Sequence, residues 1–276
     1  MRAYLARNRA PLENAILALV LPFVAGAVNA SGFFIVGTYT SHVSGSVARI
    51  GDELAQGHVV SALTAGLFVL AFFTGAVVAT LLIVQARRLK RARYVSALAC
   101  EAVTLAVVTL LGIAEPKNIP FLRELTTALL CFSMGAQNAL VTRLSGAVVR
   151  TTHLTGIVTD IGIETVRVVE WAREATRDHT GLRRIAALRD LRRHAELDRL
   201  RLHLGIFWSF LVGAVIGPWL YLHHGFLSML FPIGILLVLV WFDSSFGFQF
   251  REPVRPAREV PPAAESVVTA DRLITE

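Results

Sequence analysis

Thr40–Glu53 reads TSHVSGSVARIGDE, and Thr151–Glu164 reads TTHLTGIVTDIGIE. Seven of the fourteen positions are identical: Thr40/Thr151, His42/His153, Gly45/Gly156, Val47/Val158, Ile50/Ile161, Gly51/Gly162 and Glu53/Glu164. Ser41/Thr152, Val43/Leu154 and Ser44/Thr155 are conservative exchanges. Upstream, Gly26-Ala-Val-Asn-Ala is echoed by Gly135-Ala-Gln-Asn-Ala. A repeat at a nearly constant offset divides the chain into two related halves and has to be found before a fold is assigned.

Composition sets the environment of those halves. Of 276 residues, 54% are hydrophobic and 17% charged, against about 25% charged in a soluble domain. No Asp, Glu, Lys or Arg occurs from Asn14 to Ala48, from Leu54 to Ala86, or from Leu204 to Phe242. Such runs exceed the roughly 20 apolar residues that cross a bilayer. The pattern predicts an all-α polytopic membrane protein of six transmembrane helices, at about 15–37, 59–85, 94–114, 125–143, 204–222 and 225–242. The first apolar run is too long for the core of a signal peptide. Cys100 and Cys131 both fall in predicted spans, so no disulfide framework is expected.

Charge placement orients the spans. Arg2, Arg7 and Arg9 precede span 1; Arg87, Arg88, Lys90, Arg91 and Arg93 join spans 2 and 3. Ten arginines lie in 165–203, and the tail carries Arg251, Arg255, Arg258 and Arg272. Six crossings put all four clusters on one side, which the positive-inside rule makes the cytoplasm, with both termini there. The net charge of +7 therefore points to membrane orientation and not to nucleic acid. Spans 1–3 and 4–6 then become two inverted three-helix repeats, an architecture that recurs in secondary transporters with the solute site at the repeat interface.

The organisation expected is a cytoplasmic N-terminus (1–14), a first repeat (15–114), a second repeat (115–243) with a charged helical insert at about 165–203, and a disordered tail (244–276). In the insert, Leu182, Ile185, Leu188, Leu191 and Ala195 recur at helical spacing. Arginines beside them suit anionic headgroups, or a solvated helical hairpin. Pro253, Pro256, Pro261 and Pro262 mark the tail.

Each motif opens with hydroxyl residues suited to capping a helix (Thr40, Ser41; Thr151, Thr152) and continues through Ser44-Gly45 or Thr155-Gly156. A bend and a short re-entrant helix are expected from opposite faces, with N-termini that favour a polar or anionic solute. His42 and His153 are candidates for ligand contact or proton relay, or else structural histidines. Asn29 and Asn138 sit in spans 1 and 4, either lining a pathway or joining helices. Glu101 is the one acid well inside a predicted span and the candidate for proton coupling; a structural hydrogen bond or snorkelling is the alternative. No metal set, cofactor fingerprint or catalytic motif is found, so no enzyme activity is expected.

At these motifs the chain resembles the YoaK family of bacterial membrane proteins. The resemblance covers roughly residues 15–243. It rests on Gly26-Ala-Val-Asn-Ala, Ser41-His-Val-Ser-Gly, Met134-Gly-Ala-Gln-Asn and Arg150-Thr-Thr-His-Leu-Thr-Gly. It implies a bacterial inner membrane and no established substrate. Where that family commonly shows Thr-Gly-Asn, this chain has Ser44-Gly45-Ser46, and where it shows Asp, this chain has Asn29. The function expected is a permease for a small polar or anionic solute, in contact with the lipid bilayer and compatible with a homo-oligomer. The alternative is a scaffold or regulator that acts through the 165–203 insert.

Overall fold

The computed structural model describes residues 2–89, 92, 94–114, 121–144, 154–177 and 195–246. Among these the chain is all-α, without a strand. The helices are α1 (Arg2–Val36), α2 (Val43–Ala55), α3 (Val59–Arg88), α4 (Val95–Ala114), α5 (Leu122–Leu144), α6 (Leu154–Arg177), α7 (Ala195–His224) and α8 (Leu230–Phe246), with a 3-10 turn at Gly225–Met229.

Among the described residues, five segments are long and apolar enough to cross a bilayer: Leu19–Val36, Val59–Arg88, Val95–Ala114, Leu122–Arg143 and Leu197–Ser245. Side chains that water would penalise face outward from them. Val60, Leu63, Leu110 and Leu222 are each more than 65% exposed, a surface suited to lipid. The molecule is a multi-pass membrane protein. The fifth segment merges the two last spans expected from the sequence. Its 49 residues would stretch about 70 Å as one straight helix, more than twice a hydrocarbon core of about 30 Å. The 3-10 turn breaks it, entered through Gly225 at φ +57°, a conformation that glycine adopts without a Cβ penalty.

The two most extensive helix pairings are α1 with α7 and α3 with α5, and both are built on glycine. A Cβ on Gly26 would collide with the Phe210 carbonyl, and one on Gly213 with the Phe23 carbonyl. In the other pair, Gly75 meets the Phe132 carbonyl and Gly135 the Phe72 carbonyl. Each helix thus carries the same Phe-x-x-Gly element, its glycine admitting the partner's backbone and its Phe carbonyl filling the reciprocal notch. Close backbone approach through small residues is the usual packing solution in lipid, where burial of apolar surface gives no drive.

Side-chain contacts fix how neighbouring helices run. Gly205 packs on Leu19 and Tyr221 lies near Phe34, with ring centroids 6.4 Å apart, so α1 and α7 run parallel. Gln137 Nε2 donates to Leu21 O at 3.2 Å and Arg123 donates to Val36 O at 2.8 Å, so α1 and α5 are antiparallel. Tyr94 N–H donates to Asp243 Oδ2 at 2.9 Å, and Gly112 packs against Phe226. That makes α4 and α8 antiparallel, with the Asp243 carboxylate seated favourably at a helix N-terminus.

Helix α1 starts at Arg2 and carries the first expected span. Two expectations shift. The beginning of the insert is one continuous helix with the second motif, α6, and helix also persists through Phe246. Of the amphipathic stretch, Leu182, Ile185, Leu188 and Leu191 lie outside the described residues, as does the proline-rich tail. Cys100 and Cys131 are free thiols.

Candidate functional site

Between α1 and α2 the chain turns at Gly37 (φ +76°) and doubles back along α1. Asn29 Oδ1 accepts the Ser41 backbone N–H at 3.0 Å and the Thr40 hydroxyl at 3.5 Å. Thr40 is buried and lies within contact distance of Gly32. Asn29 lies seven residues before Val36, about 10 Å below the helix end at roughly 1.5 Å per residue. The turn is therefore pinned well below that end, and α2 starts there. It then climbs back along α3, with Ile50 facing Gly66 and His58 N–H closing on Glu53 O at 2.7 Å. An open apolar groove of about 450 Å³ runs between them, lined by Ile50, Leu54, Val59, Ala62, Leu63, Gly66, Leu67 and Leu70.

Helix α2 is 13 residues long with no buried side chain. His42 occupies its N-cap and makes no side-chain capping bond; the imidazole is exposed and lies over Gly45, where a Cβ would stand 2.6 Å from Nδ1. Ser44 is exposed and Gly45 partly so. Asn29, expected from its position either to line a pathway or to join helices, uses its carbonyl oxygen to hold the turn.

The second motif is described from Leu154 onward; Thr151, Thr152 and His153 lie outside the described residues. Thr155 is exposed and Gly156 half-buried. Asn138 is partly buried, and its carbonyl accepts the Thr142 hydroxyl at 2.7 Å. The two copies occupy opposite ends of the Leu19–Val36 span. The first follows Val36, whereas Glu164 of the second binds His203, two residues from the Gly205 that packs on Leu19. Helix α2 packs on α3 and α6 on α7. The described parts of the motifs therefore do not line one common wall. Each approaches the middle from its own end.

Glu101 is fully buried on α4, and neither carboxylate oxygen has a hydrogen-bond partner among the described residues. Such burial does not suit a side chain that snorkels to the membrane surface. Ser133 and Gln137, also fully buried, are four residues apart on one face of α5. Ser133 Oγ and Gln137 Oε1 lack partners as well.

Sequence reading passed over three buried polar groups. His203 Nδ1 lies 2.9 Å from Glu164 Oε2, both side chains being 8% exposed. Asp243 is buried at the start of α4. Gln137 was hidden inside the Gly135-Ala-Gln-Asn-Ala echo, because the first copy has Val28 at that place.

A bundle of apolar helices with glycine crossings, a pinned turn and unsatisfied interior oxygens defines a class: integral membrane proteins with a polar interior. Within that class the chain belongs to the family described as Protein of unknown function (DUF1275), which it matches over residues 17–242. No curated protein and no solved structure matches it.

Proposed function

We propose that this protein is a bacterial inner-membrane permease for a small polar or anionic solute, built from two inverted three-helix repeats with six crossings and both termini in the cytoplasm. The observation that carries the reading is the Asn29 pin. It sets the uncapped N-terminus of α2 at mid-depth of the α1 span, where free N–H groups favour negative charge. Half-helices that begin at membrane depth are the way transporters present backbone to a solute. Irregular backbone at that depth is stable only against protein or a wet cavity.

The crossings support the inversion. The Phe23/Gly26 element recurs at Phe132/Gly135, and Phe72/Gly75 at Phe210/Gly213. The α1–α7 contact therefore exchanges with the α5–α3 contact when the halves are swapped. The Gly225 break and the antiparallel α4–α8 pair support counting α7 and α8 as two crossings. The basic clusters support a cytoplasmic Leu19 end. By register, Thr151 to His153 serve the second half as Thr40 to His42 serve the first, with Asn138 as the counterpart of Asn29. Glu101, with Ser133 and Gln137 in the same interior, supplies the oxygens for a coupling proton. The motif likeness to the YoaK type belongs to this reading.

The test begins with a thermal-shift screen of small carboxylates, inorganic anions and neutral polar metabolites, because a ligand that binds only the folded state raises the melting temperature. Solutes that stabilise the protein then enter proteoliposome uptake. His42→Ala with His153→Ala is expected to abolish uptake while the protein stays folded. Undiminished uptake by that double variant removes the motif histidines from the mechanism.

A further inference from the structure

Three fully buried residues leave four oxygens without a hydrogen-bond partner: both carboxylate oxygens of Glu101, Ser133 Oγ and Gln137 Oε1. They belong to two helices that pack together, α4 and α5. Gly112 packs on Phe226, Phe226 lies 5.8 Å from Tyr221, and Tyr221 lies 6.4 Å from Phe34, so Gly112 of α4 is level with Phe34 of α1. Glu101 precedes Gly112 by eleven residues, about 16 Å along the helix. Gln137 is tied to Leu21 O, thirteen residues before Phe34 and about 20 Å from its level. Ser133, one turn earlier on α5, comes about 14 Å from that level. Glu101 therefore falls between the two in depth. We propose that Glu101, Ser133 and Gln137 form a site for a monovalent alkali cation between α4 and α5.

The donor set selects the ligand. All four atoms are oxygens, the hard ligands that suit hard cations. Glu101 is the one carboxylate of the three, so a single positive charge neutralises it, and a divalent ion would leave an uncompensated charge in the interior. No basic side chain takes that place: α4 has no Lys or Arg, and α3, α5 and α8, which pack against it, have none between their ends. A proton on Glu101 adds one donor to this set, whereas a dehydrated cation takes ligands from all of it. The set is also one-sided. At the 109-residue offset, Ser133 and Gln137 answer to Val24 and Val28, both fully buried, and α8 has no acid from Leu230 to Phe242. A core that packs valine at both places in one half needs no oxygen there in the other. The site deepens the permease reading by naming an ion that takes the proton's place on Glu101. Cation binding is read with no solute moving, so either can fail alone.

Thermal unfolding of the full chain in detergent, at constant pH and ionic strength, reads the binding, because a ligand of the folded state raises the midpoint. Replacing choline chloride by sodium chloride or potassium chloride is expected to raise it saturably, by at least about 3 °C. Glu101→Gln should abolish the response. Ser133→Ala should raise the half-saturating concentration about tenfold, the order expected for one lost bond to a charge. Ser228→Ala removes another buried hydroxyl without a partner, in the 3-10 turn, and should leave the response as it was. Equal midpoints in all three salts, a response confined to magnesium or calcium, or an undiminished response in Glu101→Gln overturns the proposal. If Glu101→Gln does not fold, Ser133→Ala decides, and an unchanged half-saturating concentration there overturns it.

Discussion

The two motif copies share half their residues and live in different surroundings. Helix α2 has no buried side chain, whereas its counterpart α6 buries Ile157 and Glu164. The divergent positions explain the split. Arg49 stands one turn before Glu53 and binds it at 3.3 Å on the same helix. In the second copy that place is Asp160, so Glu164 has no cation one turn before it and reaches another helix for His203. Asp52 likewise becomes Ile163. One exchange of charge turns a surface pair into a buried one.

Breaking the buried pair should cost most. Glu164→Ala leaves His203 without its partner and is expected to destabilise the protein by about 3–5 kcal/mol, read as a lowered thermal midpoint in detergent. Asn29→Ala removes the acceptor of two bonds that hold the first turn. A loss of about 1–3 kcal/mol is expected, with His42 becoming more reactive toward an imidazole reagent as the turn loosens. Glu53→Ala removes exposed pairs and should cost no more than about 1 kcal/mol; a loss equal to that of Glu164→Ala would erase the distinction between the copies. The smallest effect belongs to Gly51→Ala and Gly162→Ala. An added Cβ meets nothing within 4 Å at either site, so helix propensity should stabilise each by up to about 1 kcal/mol. Destabilisation in the same assay would mean that a second copy of the chain covers these faces.

Much of the architecture was legible because its causes are local. Charge-free runs of Asn14–Ala48 and Leu54–Ala86 leave little alternative to spanning helices, and the repeat by itself marks a bend at Thr40. What could not be read depends on pairing. Asn29 showed as an amide in a span, but nothing in its neighbours said that it would hold Ser41 twelve residues later. His203 lies outside the repeat, 39 residues from Glu164, in a stretch whose arginines dominate the eye. Six Phe-x-x-Gly strings were in plain view, four of them the elements at the crossings. They escaped notice because their offsets differ, 109 residues for one pair and 138 for the other, and a single-offset comparison sees only the first. The 3-10 break hid within an apolar run for a similar reason: hydropathy does not register one glycine with positive φ.

Those crossings also set a timetable. The notch in α1 at Gly26 is filled by Phe210, which lies 184 residues further along the chain. At a synthesis rate of about 5–20 residues per second, α1 waits roughly 10–40 s before its partner leaves the ribosome. During that interval its bare backbone groove faces lipid or the insertion machinery. Helices α3 and α5 are closer in sequence and can meet first, so the middle of the chain is assembled before its ends, and the last apolar helices to be made lock the first in place.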